Sequence, residues 1–127
     1  MGTAVIVYIV DDDPAVRDGF TRLLRSAGMD PRPYGSPERF LEEVRNAAGA
    51  CILLDITMPR MTGPQVQAQL NAQAITLQVI TVSAREDRHV LACAHGLGAR
   101  MFLHKPVDDR ALLDAIHWVV SSNGQLG

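Results

Sequence analysis

Short apolar runs alternate along the chain with longer segments in which apolar residues recur every three or four positions. There are five such runs, and each is followed by a polar turn and an amphipathic segment. An unbroken apolar run is typical of a strand buried on both faces, whereas the three-and-four spacing is typical of a helix with one buried side. The pattern therefore predicts five strand–helix units.

Caps and breakers set the expected boundaries of these units. We expect strands at Ala4–Val10, Met29–Tyr34, Cys51–Asp55, Leu77–Val82 and Arg100–His104. We expect helices that open at Asp13, Ser36, Thr62, Glu86 and Asp108. Alternation of this kind predicts an α/β domain whose parallel sheet has helices on both faces and right-handed crossovers.

The second strand is expected at an edge of the sheet. It contains Pro31 and Pro33, which remove hydrogen-bond donors from the same side of the strand. Only the other side can then pair fully with a neighbouring strand.

Length and composition narrow the class of protein. The chain has 127 residues, 47% of them hydrophobic, and a formal net charge of −2, which fits one globular domain. So small a charge gives no electrostatic case for binding nucleic acid or an anionic membrane. The polar segment Ser121–Gly127 is expected to be a frayed tail or the start of a linker.

The cysteines and the first apolar run indicate in which cellular compartment the protein is expected. Cys51 and Cys93 fall in a predicted strand and a predicted helix, without metal-ligand spacing, and are typical of buried thiols in a reduced, cytoplasmic protein. The first apolar run is too short for a signal peptide, and no run is long enough to span a membrane.

Polar residues gather where the predicted strands end. Asp11 and Asp12 follow the first strand, Asp55 ends the third, Ser83 follows the fourth, and Lys105, the only lysine in the chain, follows the fifth. Parallel strands bring these ends to one edge of the sheet, where open α/β sheets bind ligands. Alternatively, Asp55 could be an ordinary strand-end residue that caps a turn.

Three crowded carboxylates would repel one another and raise one another's pKa. A divalent cation such as Mg²⁺, which prefers oxygen ligands, would relieve that repulsion. With a lysine and a serine hydroxyl nearby, the same edge could hold a phosphoryl group. Asp55 would then be the nucleophile that forms an aspartyl phosphate.

Motifs at these strand ends resemble those of a known family. They are Val10-Asp11-Asp12, Leu54-Asp55 with Met58-Pro59 and Gly63 behind it, Ser83-Ala84, and Lys105-Pro106. In this order and spacing they resemble the receiver domain of bacterial two-component response regulators, and most closely its FixJ branch, from Ala4 to Val120. The resemblance implies a doubly wound, flavodoxin-like fold with strand order 2-1-3-4-5, in a single domain over residues 1–127.

The resemblance also implies a role for each motif residue. Asp11, Asp12, Asp55 and the backbone carbonyl of Thr57 would bind Mg²⁺, with Mn²⁺ as a possible substitute. Asp55 would accept a phosphoryl group from a sensor histidine kinase, and Lys105 would contact the phosphoryl oxygens. The domain would thus be a signalling domain that catalyses only its own phosphorylation and dephosphorylation. On the same grounds, the Lys105–Pro106 peptide is a candidate cis bond.

The signal would be transmitted by a switch. The resemblance gives Ser83 the role of sensing the phosphate, Phe102 the role of an aromatic switch, and Ala84 the role of leaving room for the phosphate. The changed face would lie on the predicted helix 86–97 and the fifth strand, and it could bind a second copy or a missing DNA-binding output domain that regulates transcription. Two positions depart from the family pattern: Ser83 where threonine is commoner, and Val107 where an aromatic residue is common.

Other classes of protein remain open at this point. Asp11-x-Asp13, Ser83, Lys105 and Asp108-Asp109 occur in the order found in phosphatases of the haloacid dehalogenase type, although that reading gives Asp55 no role. A pseudo-receiver that is not phosphorylated and acts as an interaction module is a second alternative. A flavodoxin-like FMN binder is disfavoured, because three acids in the first loop would repel a phosphate.

Overall fold

The computed structural model describes residues 4–56, 58–59, 61–84, 92 and 96–126. The strands are β1 (Ile6–Val10), β2 (Asp30–Tyr34), β3 (Ala50–Asp55), β4 (Gln78–Ser83) and β5 (Ala99–His104). The helices with complete boundaries are α1 (Pro14–Ser26), α2 (Pro37–Glu43), α3 (Gly63–Ala72) and the C-terminal helix (Asp109–Leu126). All five strands are parallel, in the order β2-β1-β3-β4-β5. The predicted fold class is therefore confirmed.

The sheet separates two apolar cores. Residues that alternate along a strand point to opposite faces, so Val7 and Ile9 enter one core while Tyr8 and Val10 enter the other. The first core is closed by α1 and the C-terminal helix, and the second by α2 and α3. β3 is buried along its entire length, as its unbroken apolar run predicts.

Short polar residues begin the helices where the sequence predicts. Asp13 accepts a hydrogen bond from the Ala15 N–H, Ser36 is the cap of α2, and Thr62 forms a capping box with Gln65. A proline at the first or second helical position follows each of these three caps. Two of these caps, Asp13 and Thr62, belong to the helices that follow β1 and β3, the strands after which Asp11 and Asp55 are found.

β2 is an edge strand, as predicted. The Asp30 N–H donates to the Val5 carbonyl at 2.8 Å, so alternate residues of β2 face β1. Pro31 and Pro33 lie on the other, outer side, where a missing donor breaks no bond of the sheet.

The C-terminal helix is longer than the sequence suggested. It continues to Leu126, whereas residues 121–127 were expected to be a frayed tail or linker. The segment contains no proline, and a helix that is already formed extends at low cost, so polar composition alone does not end it. Most of the predicted helix 86–97 lies outside the described residues; Ala92 and Gly96 are described and are helical.

Two further expectations concern the thiols and membrane insertion. Cys51 is free and buried, as predicted, and burial raises the pKa of its thiol to about 12. Cys93 lies outside the described residues. Among the helices that the structure describes, none is long and apolar enough to cross a bilayer.

Candidate functional site

Strand register brings the predicted site residues to one edge of the sheet. Asp55 is the last residue of β3, Ser83 is the last residue of β4, and Asp11 and Lys105 directly follow β1 and β5. Backbone hydrogen bonds continue past the strand ends: the Lys105 N–H donates to the Ser83 carbonyl at 2.9 Å. This bond joins the residue after β5 to the last residue of β4.

The carboxylates of Asp11, Asp12 and Asp55 form a compact group. Each offers an oxygen, and these oxygens all lie within 4.8 Å of one another. Asp11 is 2% exposed and Asp55 is 5% exposed, while Asp12 is exposed. The group is thus closed by protein beneath and open to solvent on the side of Asp12.

Lys105 supplies the positive charge of the group. Its Nζ lies 2.9 Å from Asp11 Oδ2 and 3.4 Å from Asp55 Oδ2, and its side chain is 18% exposed. Burial alone would lower the pKa of Lys105, but the hydrogen bond to Asp11 and the charges of both carboxylates outweigh it and raise that pKa. The lysine is therefore held protonated between two acids.

The environment of Asp11 disfavours its charged form. Burial raises its pKa, and the charge of Asp55 acts in the same direction. Hydrogen bonds from Lys105 and from the Asp13 N–H oppose that rise without cancelling it. A second cation near this carboxylate would favour its ionised form.

The donor set fits a hard divalent cation. Three carboxylate oxygens within reach of one another are ligands that Mg²⁺ prefers, and the exposed side leaves room for the water molecules that Mg²⁺ retains. The predicted fourth ligand, the carbonyl of Thr57, lies outside the described residues.

The loop that carries the first two acids is braced by a residue that the sequence analysis missed. Arg17, on α1, donates from Nη1 to the Asp11 carbonyl oxygen at 2.7 Å. Helical side chains point toward the N-terminus of their helix, so an arginine in the first turns of α1 can reach back to this loop. That geometry is the only signal that could have identified it.

The remaining predicted residues lie around the acidic group. Ser83 is fully buried, and Ala84 is exposed and lines a groove of about 480 Å³ with Lys105, Pro106 and apolar residues of α1. Phe102 lies two residues before the end of β5, with its ring 5.8 Å from that of His104. It is half-buried, so its side chain is neither fully packed in the core nor free.

Two backbone features shape the loops. The Lys105–Pro106 peptide is cis, as expected from the resemblance. The Gly63 N–H donates to the Ile56 carbonyl at 3.1 Å, and a Cβ at position 63 would lie 2.6 Å from the Ile56 Cα. The loop after Asp55 therefore folds back so tightly that only glycine fits at the start of α3.

The sheet topology and the residues at the carboxyl ends of the strands define the class of protein. It is a doubly wound α/β domain with three acids and one lysine at that edge of the sheet. The chain belongs to the response regulator receiver domain family, whose pattern it matches over residues 7–117. The resemblance found in the sequence is thereby confirmed.

Individual relatives agree with this assignment. The chain is 35% identical to the transcriptional regulatory protein TdiR of Thauera aromatica over 98% of its own length and 55% of that protein. It is 32% identical to the transcriptional regulatory protein FixJ of Azorhizobium caulinodans over 100% of its own length and 60% of that protein. The structure of the response regulator StyR has a TM-score of 0.87 at 36% identity, covering 97% of this chain and 62% of that one.

Family membership decides against two of the alternatives considered above; the pseudo-receiver shares the family and differs only in not being phosphorylated. The domain is a two-component receiver, a signalling domain, and neither a phosphatase of the haloacid dehalogenase type nor an FMN-binding flavodoxin. Asp108, which the phosphatase alternative would need, instead accepts a hydrogen bond from the Ala111 N–H at the start of the C-terminal helix. The chain spans little more than half the length of these two transcriptional regulators.

Proposed function

We propose that the domain accepts a phosphoryl group on Asp55, with Mg²⁺ bound beside it, from a sensor histidine kinase. One observation carries the proposal: the Asp55 carboxylate ends the central strand within 4.8 Å of two other acids and 3.4 Å from an ammonium group. If Asp55 only capped a turn at the end of its strand, neither the two neighbouring acids nor the lysine would be needed. A phosphoryl acceptor uses both, since charge builds up on the phosphoryl oxygens during transfer.

The chemistry divides among the residues of the edge. An oxygen of Asp55 attacks the phosphorus, and the bond from phosphorus to the donor's histidine nitrogen breaks, leaving an acyl phosphate on Asp55. Lys105, already held between Asp11 and Asp55, needs only a small movement to pair with a phosphoryl oxygen. Asp11, Asp12, Asp55 and the Thr57 carbonyl would hold Mg²⁺, which when bound offsets the negative charge of the phosphoryl group.

Further roles complete the proposal. Ser83 donates its hydroxyl to a phosphoryl oxygen, Ala84 keeps the entrance open, and Phe102 changes its packing in response. The response would alter the face formed by strand β5 and the predicted helix 86–97, including Arg88, Val90 and Leu91, which lie outside the described residues. A second copy or an output domain would read that face.

The output is proposed to be transcriptional. Two relatives are named transcriptional regulatory proteins, and each is longer than this chain by about the size of a further domain. We infer that the receiver controls a DNA-binding output domain and works in the cytoplasm, while contacting no nucleic acid itself. Residues 121–127 would lead from the receiver toward that domain.

The acceptor can be tested by intact mass measurement. Incubation with acetyl phosphate and Mg²⁺ should add one phosphoryl group, and chelation of the metal should prevent the addition. Asp55→Asn should remove the adduct. Asp13→Asn is the matched control, because Asp13 lies in the same loop but caps α1, and asparagine is an equally good cap. An adduct that persists in Asp55→Asn would contradict the proposal.

A further inference from the structure

Arg17 lies between the ends of β1 and β2. Its Nη1 donates to the Asp11 carbonyl oxygen at 2.7 Å, in a partly buried position. The Asp11 N–H in turn donates to the Tyr34 carbonyl at 3.1 Å, so the Asp11 backbone is held on both sides. Arg17 is thus the side chain that fastens the start of the loop Asp11–Asp13, here called the acidic loop.

Gly35 leaves the space that the Arg17 guanidinium fills. A Cβ at position 35 would lie 2.7 Å from Arg17 Nη1 and 2.9 Å from Arg17 Cζ. The φ angle of Gly35 is outside the left-handed region, so its backbone conformation does not require glycine. A side chain at position 35 would therefore push the Arg17 guanidinium out of its observed place.

The Asp11 carbonyl belongs to the peptide that leads into Asp12. Fixing the plane of that peptide fixes the positions of the Asp12 nitrogen and Cα, and therefore the point from which the Asp12 side chain extends. The Asp11 carboxylate has its own anchors, in Lys105 and the Asp13 N–H. Asp12, by contrast, is exposed, and no residue in the described parts of the chain donates a hydrogen bond to its carboxylate. The position of Asp12 therefore depends on the backbone that Arg17 holds.

We propose that Arg17, seated against Gly35, is a positioning residue that sets the Mg²⁺ affinity of the acidic loop by fixing the Asp11–Asp12 peptide. The inference rests on the proposed Mg²⁺ site. Groups that orient metal ligands without touching the metal are worth roughly 10- to 100-fold in affinity. Arg17 orients one ligand among several, so we expect its loss to weaken Mg²⁺ binding on the order of tenfold.

The direction of the change separates positioning from charge. Arg17 is a cation near a cation site, so removal of its charge alone would strengthen Mg²⁺ binding. Calorimetric titration of the metal into Arg17→Met should instead give weaker binding. Arg22→Met is the matched control, because Arg22 is an exposed arginine on the same helix. The Mg²⁺ affinity of this variant should stay within about twofold of that of the wild type.

Gly35→Ala tests the same contact from the other side. The added methyl group must displace the guanidinium, so this variant should also weaken Mg²⁺ binding although every charge is retained. The double variant Arg17→Met/Gly35→Ala should bind no more weakly than Arg17→Met, since both changes break one contact. Amide NMR of metal-free protein should show the Asp12 resonance displaced in Arg17→Met and in Gly35→Ala, but not in Arg22→Met.

Asp12→Ala tells the two proposals apart. If Asp12→Ala loses Mg²⁺ affinity while Arg17→Met binds as tightly as Arg22→Met, the role of Arg17 is refuted and the metal site stands. If Asp12→Ala binds like the wild type, both proposals fail. Thermal melting of each variant checks folding, and if Arg17→Met does not fold, Gly35→Ala, which keeps the arginine, decides the question.

Discussion

At the scale of single residues, the balance of charge at the sheet edge depends on Lys105. It is the only lysine of the chain, and its Nζ contacts both Asp11 and Asp55. A lysine carries a compact charge on a flexible stem, whereas an arginine presents a planar fork. Such an ammonium group can neutralise the acids in the resting domain and then follow the charge to a phosphoryl group.

Replacement of this lysine should destabilise the folded domain, because the crowded acids would then repel one another without a compensating cation. Without metal, Lys105→Met should lower the free energy of unfolding at neutral pH by about 1–3 kcal/mol, because two buried carboxylates lose their partner. Chemical denaturation across a pH series measures the difference from the wild type.

The pH dependence has a defined sign. The pKa of Lys105 is raised in the folded state, so its stabilisation is complete below the ordinary value of 10.5 and is lost as the pH rises through the raised value. In Lys105→Met the pKa of Asp11 should rise further, so mild acid should recover part of the lost stability. A stability difference that stays constant from mild acid to strong alkali would contradict this assignment.

The residues of the site differ in how far the sequence reveals them. Asp11, Asp55, Ser83 and Lys105 each follow an apolar run, so strand periodicity alone placed them on one edge, as observed. Arg17 carries no such signal, because it binds a backbone carbonyl. Every residue has a backbone carbonyl, so the sequence does not indicate which one an arginine will bind. Contacts that depend on side-chain reach across a loop appear only in three dimensions.

At the scale of elements, the turn after β3 is fixed by the start of α3. Gly63 packs directly on Ile56, the residue after Asp55, while Thr62 and Gln65 cap the helix. The position of Asp55 at the end of its strand is therefore coupled to a helix start that contributes no side chain to the site.

Gly63→Ala should destabilise the domain by about 1–3 kcal/mol, because the added methyl group meets the Ile56 backbone, which cannot move aside cheaply. Gly19→Ala is the matched control: Gly19 lies within α1, and a Cβ added there would meet no atom within 4 Å, so alanine should stabilise the domain by about 0.5–1 kcal/mol. Thermal melting of both variants measures the two signs. A Gly63→Ala variant as stable as the wild type would show that the turn is not constrained as described.

The starts of α1, α2 and α3 were predicted accurately, whereas the extent of the C-terminal helix was not. Each of the first three helices has a capping residue with a proline one or two positions later, and the caps are Asp13, Ser36 and Thr62. The structure begins each helix directly after its cap. The C-terminal helix ends at Leu126, past the serines expected to mark a tail, since composition gives a weaker signal than a cap.

At the scale of the whole molecule, the proposed switch links Ser83 to Phe102. Ser83 ends β4, and Phe102 pairs with Thr81 on the neighbouring strand. A phosphoryl group can shift the equilibrium only by binding one loop position better than the other. One hydrogen bond to a charged group supplies roughly 1.5–3 kcal/mol, or about a 10- to 150-fold change in population.

Ser83→Ala should separate phosphorylation from the switch. The variant should still accept a phosphoryl group on Asp55, because the acids and Lys105 are intact. Its Phe102 ring resonances should stay in place when a beryllofluoride mimic is added, whereas those of the wild type should move. Sedimentation with and without the mimic tests whether the changed face joins two copies. A Phe102 shift of full size in Ser83→Ala would remove the hydroxyl from the switch.

The proposed function depends on Asp55 as the phosphoryl acceptor, and chemical mapping tests that claim most directly. The protein is treated with acetyl phosphate and Mg²⁺, its acyl phosphate is reduced with borohydride to give homoserine, and the digested peptides are read by mass spectrometry. We predict homoserine at position 55 alone, and none in Asp55→Asn. Homoserine at position 11, or a phosphoryl group carried elsewhere with Asp55 unmodified, would contradict the assignment.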